Sequence, residues 1–272
     1  MDPAAQFLKE NARGDLVAWE VQREAASRFG TTPHHVEGVI LSMGLLPARY
    51  AKNREMIGIA QQRRLFDGTV AVVGCGGLGG YVIEELARLG VGTIKAIDPD
   101  VFEEHNLNRQ VTCTLSSLGR AKVEAARDRV AAINPACEVF SLQTALTTEN
   151  APVLLGGADV AVDGLDSIPA RLELADACTR LRTPLVHGAI GGWYAVVLTQ
   201  REGSAGIRRL YGGTKGAKGI EETLGSPSFT PAIAASIEAA EVCKLLTGEG
   251  PTLDDRMLFI NLLDMTIETF EL

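Results

Sequence analysis

VAVVGCGGLGGYVIEELARLGVGTIKAID, residues 70 to 98, is the stretch whose reading decides the fold. Val70 to Val73 is a short apolar run rich in β-branched residues, too brief for a helix of its own, and it reads as a buried strand. Gly74, Gly76 and Gly79 then fit G-x-G-x-x-G, with Gly77 inside the same turn. Tyr81, Val82, Leu86 and Leu89 recur at helical spacing until Gly90 and Gly92 end the run. A second strand, Thr93 to Ile97, stops at Asp98, about twenty residues beyond the glycines. Strand, turn, helix, strand and acid in that order predict a nucleotide site. Glycines let the backbone approach a phosphate, the helix N-terminus offers unpaired N–H donors, and a carboxylate at position 98 can accept two bonds from ribose hydroxyls. A tight turn needs glycine for steric reasons alone, so it is the ordered set that carries the expectation.

The residues beyond Asp98 do not suit an ordinary dinucleotide dehydrogenase. Asp98-Pro99-Asp100-Val101 leads into a polar, cationic loop, Asn106-Leu107-Asn108-Arg109-Gln110, just past the end of the second strand, where ligands gather in a doubly wound sheet. An arginine and two amides fit a triphosphate better than a nicotinamide. Arg109 can make a forked contact to phosphate oxygens, and Asn106 can hydrogen-bond a phosphate or a reacting carboxylate.

Three segments together, GCGGLGG, IDPDVFEEHNLNRQ and LGRAKVEAARDRVAAINP, resemble the ThiF/MoeB/HesA adenylyltransferases, bacterial relatives of the ubiquitin-activating enzymes. The resemblance runs from about Arg49 to the C-terminus. It implies that Gly74, Gly76, Gly77, Gly79, Asp98 and Asp100 bind the nucleotide, and that Asn106, Arg109, Lys122 and Asp166 are catalytic. Arg49-Tyr50-Ala51-Lys52-Asn53-Arg54 is similar to the family's RYxRN segment, whose arginine reaches ATP phosphates in the partner subunit. In strict register that position is Lys52, with Arg54 one step away. Lysine brings charge without the planar fork, and both cations stay open as the phosphate contact.

Working outward, residues 1–48 read as a helical N-terminal extension and 49–272 as the nucleotide-binding domain. In the extension, Phe7, Leu8, Leu16, Val17, Trp19, Val21, Val36, Val39, Ile40 and Leu41 punctuate a charged background. Gly30-Thr31-Thr32-Pro33 reads as a break between helices, with Thr32 as N-cap and Pro33 at the first helical position. His34 and His35 are expected as a solvated cap.

Downstream, the segment opening at Leu118 begins a helix with Val123, Ala126, Val130 and Ile133 on one face, ending before Asn134-Pro135. Lys122 lies in its first turn, where the helix dipole disfavours a cation unless an anion is near; by resemblance it holds the ATP phosphates. Val139 to Leu142 is a third strand and Ala158 to Asp163 a fourth, which delivers Asp163 and Asp166 to the same edge of the sheet. Carboxylates so placed suit hydrated magnesium. By resemblance Asp166 is the metal ligand and Asp163 its structural companion. Ser167 to Arg182 is read as a helix with Leu172, Leu174, Ala175, Cys178 and Leu181 inward. His187 falls in a further parallel strand, 184–189, and is expected as a hydrogen-bonded core histidine, since adenylation by an ionised carboxylate needs no base. Trp193 to Leu198 should run antiparallel.

Residues 201–228, rich in glycine and cations, read as a mobile crossover loop. In the resembled family this region holds a zinc-binding cysteine pair or an acceptor cysteine. Here Arg208-Arg209 stands in place of the first pair, so no structural zinc is expected. Thr230-Pro231 is expected to cap a last helix with Ile233, Ile237, Ala240, Val242 and Leu245 as its buried stripe, and 258–272 to supply two closing strands.

A net charge of −8 argues against a nucleic-acid partner. No segment has the apolar length of a membrane span or a signal peptide, which makes the cytoplasm the expected location. Five cysteines lack any CxxC spacing, so neither disulfides nor thiolate metal sites are indicated.

The fold expected is α/β: a Rossmann-like, doubly wound, mostly parallel sheet extended by antiparallel strands. The resemblance implies an ATP- and Mg2+-dependent adenylyltransferase, working as a homodimer. Its substrate would be the C-terminal glycine carboxylate of a small ubiquitin-like sulfur-carrier protein ending in Gly-Gly. An ATP-dependent dehydratase acting on a modified tRNA base, an NAD-dependent dehydrogenase and a non-catalytic nucleotide-binding regulator are the alternatives.

Overall fold

The computed structural model describes residues 3–213 and 221–272. The chain opens with α1 (Pro3–Glu10), β1 (Leu16–Val17), α2 (Trp19–Arg28), α3 (Pro33–Ser42) and β2 (Leu46–Pro47). It continues through α4 (Ile59–Asp67), β3 (Thr69–Val73), α5 (Gly77–Leu89), β4 (Thr93–Ile97), α6 (Lys122–Ile133), β5 (Glu138–Leu142), α7 (Ala151–Leu155) and β6 (Val160–Asp163). It closes with α8 (Ile168–Leu181), β7 (Leu185–Gly191), β8 (Tyr194–Gln200), α9 (Gly206–Tyr211), α10 (Glu221–Leu224), α11 (Phe229–Thr247), β9 (Arg256–Asn261) and β10 (Thr266–Glu271).

The described strands of the main sheet lie in the order β10-β9-β8-β7-β6-β3-β4-β5. Strands β3 to β7 are parallel, and β8, β9 and β10 extend the sheet antiparallel. The chain winds from β3 outward to β5 and then returns to β6 on the other side of β3, so the strand order reverses at β3. At that reversal Val73 is in register with both Ile97 and Asp163, and a crevice opens at the strands' carboxyl ends. Helices cover both faces. One core packs α5, α6 and α11 on the sheet through Val82, Leu86, Val123 and Val242; the other packs α7 and α8 through Leu154, Leu174 and Cys178.

The N-terminal residues have their own core around Leu8, Val17, Val36 and Ile40, with β1 and β2 joined as a short parallel pair that the helical reading did not include. A buried polar cluster ties them down. Arg49 donates to Glu37, to Asn134 Oδ1 at 2.7 Å and to Gln22 Oε1 at 2.8 Å, while Tyr50 donates to Glu37 Oε1 at 2.7 Å.

Several expectations are corrected. Thr32 does cap α3, accepting from His35 N, but His34 is not a solvated cap: it stacks on Phe66 at 4.5 Å and its Nδ1 lies 2.9 Å from Ala136 O. Helix α6 starts at Lys122, after a 3-10 turn at Leu115–Ser117. Leu181, the last residue of α8, is exposed. Residues 201–228 are not one loop, because α9 and α10 form within it; its centre, 214–220, lies outside the described residues. Helix α11 begins at Phe229, and Thr230 is no cap: its hydroxyl is buried and donates to Gly192 O at 2.6 Å. The buried face of α11 is Ala234, Ala235, Glu238, Ala239, Glu241 and Val242, with Ala240 exposed and Ile233, Ile237 and Leu245 only half-buried. The Glu238 side chain fills the space over Gly188 of β7. A Cβ added at Gly188 would stand 2.6 Å from the Glu238 carboxyl carbon.

Candidate active site

The glycine turn is built by sterics at two points. Gly74 has φ +91°, in the left-handed region, and a Cβ there would meet Gly164 O at 2.5 Å. A Cβ at Gly79 would stand 1.8 Å from Gly74 O, so α5 can pack on β3 only with glycine there. Gly76 ends the turn as the N-cap of α5 without a side-chain cap, which leaves the first N–H groups of the helix to a ligand.

Asp98 ends β4 and is 4 % exposed. Its Oδ2 accepts from Cys75 N at 2.7 Å and its Oδ1 from Asp100 N at 2.8 Å, which ties the acid to the turn. Burial pushes its pKa up, partly offset by the Lys122 charge and these two N–H groups. Lys122 is also buried, its ammonium 2.8 Å from Asp100 Oδ2 and 3.9 Å from Asp98 Oδ1. The anion that the start of α6 called for is thus supplied by two carboxylates of the chain itself.

These groups line one cavity of about 510 Å³ at the carboxyl rim of the sheet, within the size usual for a ligand site. Gly74, Gly76, Gly77, Asp98, Asp100, Arg109, Lys122 and Asp166 are on its wall, beside the apolar Ile97, Leu146 and Ala170. Arg109 is steadied by His105 O at 3.1 Å and Asn108 Oδ1 at 2.9 Å. Asp166 is exposed and has no hydrogen bond or ion pair with another described residue.

Other expected site residues are not on that wall. Gly79 acts from beneath it, through packing. Asn106 is 4 % exposed and its Oδ1 accepts from Glu103 N at 2.9 Å, closing the turn that leads to Arg109. Lys52 is exposed on the outside, and Arg54 pairs with Asp15 at 2.5 Å. Asp163 is fully buried, bonded to Leu165 N at 2.9 Å and His187 Nδ1 at 2.7 Å.

Sequence reasoning passed over three residues. Gln110 packs its amide against Gly76 on the wall, and its buried Oε1 has no hydrogen-bond partner among the described residues. Arg171, 2 % exposed, lines the cavity and donates from Nε and Nη2 to Leu165 O at 3.1 and 2.7 Å. Tyr211 lies 3.2 Å from Arg171 and 3.0 Å from His187. Gln110 sits inside the quoted loop and was legible as a polar end to it. Arg171 and Tyr211 had no local signal.

A doubly wound sheet with a glycine turn, a buried ribose-height acid and cations around one crevice defines a nucleotide-binding α/β protein. Within that class the chain belongs to the ThiF family, whose profile matches residues 50–272. It is 36% identical over 225 residues to the SAMP-activating enzyme E1 of Haloferax volcanii, covering 81% of this chain and 83% of that one. It is 34% identical over 231 residues to the probable adenylyltransferase/sulfurtransferase MoeZ of Mycobacterium tuberculosis, covering 82% of this chain but only 59% of MoeZ. Among solved structures, E. coli MccB with ATP superposes with a TM-score of 0.71 at 23% identity, covering 82% of this chain and 71% of that one. That likeness concerns the fold.

Proposed function

We propose that this chain is an ATP-dependent adenylyltransferase that activates the C-terminal glycine carboxylate of a small ubiquitin-like sulfur-carrier protein. The observation that carries the reading is the convergence of the glycine turn, Asp98, Arg109, Lys122 and Asp166 on one crevice at the strand reversal. The family and the relatives named as adenylyltransferases support it.

The chemistry asks mainly for alignment and charge neutralisation. The N–H groups at the start of α5, with Arg109 and Lys122, hold the triphosphate. Asp98, pinned by Cys75 N and Asp100 N, presents its remaining lone pairs to the ribose hydroxyls. The carrier's carboxylate is ionised near neutral pH and attacks the α-phosphorus: an acyl–O–P bond forms, the α–β P–O bond breaks, and pyrophosphate leaves. No proton transfer is required of the protein. Asn106 holds the turn that presents Arg109 through Oδ1, which leaves its amide N–H groups as the donors for a phosphate or the reacting carboxylate.

Magnesium fits as a substrate-borne ion. It is satisfied by one or two carboxylates plus phosphate oxygens and water, and Asp166 offers one open carboxylate at the cavity wall; among the described residues no cluster of acids forms an all-protein cage. Held there, it would neutralise charge on the phosphate oxygens.

In this reading the working form is a homodimer, with exposed Lys52 as the cation offered to a neighbouring subunit's triphosphate, Arg54 being engaged by Asp15. Residues 1–48 are an extension clamped to the enzyme domain by Arg49. No helix among the described residues is long and apolar enough to cross a membrane. The test is carrier-dependent exchange of pyrophosphate into ATP. Its loss in Asp166→Ala supports the reading, and full exchange in that variant overturns it.

A further inference from the structure

The loop that carries Asp166 is held by a closed ring of hydrogen bonds, buried or part-buried, that none of the adenylation steps above uses. Leu165 N donates to Asp163 Oδ1 at 2.9 Å, and Asp163 Oδ2 lies 2.7 Å from His187 Nδ1. On the other side of the imidazole, His187 Nε2 lies 3.0 Å from the Tyr211 hydroxyl, which is 3.2 Å from Arg171 Nη1. Arg171 closes the circuit by donating twice to Leu165 O. Arginine only donates, so the Tyr211 oxygen accepts from Arg171, and the two ring nitrogens of His187 bridge Tyr211 to Asp163.

Both backbone groups of Leu165, the residue before Asp166, are therefore committed to this ring. Its neighbour Gly164 is wedged against the glycine turn, where a Cβ would meet Gly74 O at 2.6 Å. Asp163 and His187 are fully buried, and Arg171 nearly so. Tyr211 is the half-buried member and the last residue of α9, within the segment 201–228. The far end of that segment reaches the cavity as well: Ser226 is on its wall and accepts from Asn108 Nδ2 at 3.1 Å.

We propose that His187 and Tyr211 are positioning residues, a buried latch that sets the place of α9 and the place of the Asp166 loop together. The proposal rests on the adenylyltransferase reading for the role of Asp166, though the latch itself does not. Tyr211→Phe removes one hydroxyl and keeps the ring. His187→Asn keeps an amide N–H near the position of Nδ1 for Asp163 while losing the ring nitrogen that faces Tyr211, so it cuts the same link from the other side.

Two measurements on the full chain decide the matter. Amide hydrogen exchange at residues 164–167 should speed up about five- to tenfold in either variant, the size of one lost buried hydrogen bond, and no further in the double variant; exchange in β4 should stay as in the wild type. The MgCl2 concentration that half-saturates the thermal stabilisation by ATP should rise in both variants, which a merely structural loss would not produce. Unchanged exchange at 164–167 in both variants, or a rise shared equally with β4, overturns the latch. A wild-type protein that gains no stability from ATP and MgCl2 overturns the adenylyltransferase reading instead, and the exchange measurement still decides the latch.

Discussion

The ammonium of Lys122 sits 2.8 Å from Asp100 Oδ2 and 3.9 Å from Asp98 Oδ1, so the cation at the start of α6 is held by acids on the wall of the nucleotide cavity. Asp98 keeps a raised pKa in spite of it, because burial outweighs the attraction. Lys122→Met should remove a phosphate contact and leave Asp98 buried without its cation. We expect pyrophosphate exchange to fall by about a hundredfold and stability at neutral pH by about 1–3 kcal/mol. Denaturant melts and exchange assays on the same preparation check both. Unchanged stability would mean that the pair is incidental.

Two glycines in one motif should behave differently. At Gly77 the nearest atom to an added Cβ is Pro231 Cβ at 3.6 Å, ordinary contact, whereas at Gly79 it is Gly74 O at 1.8 Å. Gly77→Ala is expected to fold and melt within a few degrees of the wild type. Gly79→Ala should be strongly destabilised or insoluble, since a backbone oxygen cannot step aside. Equal melting temperatures for the two would contradict the packing described.

Glu238 is fully buried on α11, and neither of its carboxyl oxygens has a hydrogen-bond partner among the described residues. Burial first, then the charges of Asp163 and Glu85, push its pKa well up against the pull of Arg171. The folded chain therefore keeps the proton at pH values where the unfolded chain has released it. Its advantage is fully present below the ordinary carboxylate pKa and is lost as pH rises toward the raised value, at up to about 1.4 kcal/mol per pH unit. Glu238→Gln keeps the shape without the proton, so its gain in melting temperature over the wild type should be larger at pH 8 than at pH 5. A gain independent of pH would refute the neutral, protonated carboxyl.

Arg49 joins the N-terminal helices to the main domain through Glu37, Gln22 and Asn134. Glu37 is 1 % exposed, and burial already raises its pKa against the pull of Arg49. Arg49→Met would strand that acid at a cost of about 3–5 kcal/mol. The measurement is protease sensitivity of residues 1–48 together with the melting curve; a variant as resistant as the wild type would show that the helices are held by packing alone.

How far the sequence discloses this molecule depends on the range over which the signal acts. The strand–turn–helix unit around Gly74 was legible because each step is local: β-branched run, glycines, helical period, acid. The antiparallel extension and the place of Arg109, Lys122 and Asp166 on one rim came from strand order. Side-chain direction did not. That Asn106 Oδ1 closes the Glu103 turn is one instance. The stripe expected on α11 was drawn through its largest aliphatic residues, but the buried face carries Ala234, Ala235 and Ala239 with Glu238, whose side chain fills the space over Gly188. The ring through Asp163, Arg171, His187 and Tyr211 spans four elements and had no periodicity to betray it.

Exchange of labelled pyrophosphate into ATP, driven by a small ubiquitin-like protein with an intact Gly-Gly tail, tests the account most directly. The expected result is exchange that falls by about a hundredfold when the last two glycines are deleted and again in Asp166→Ala. Exchange that proceeds equally well without the tail, or with Asp166 gone, would contradict it.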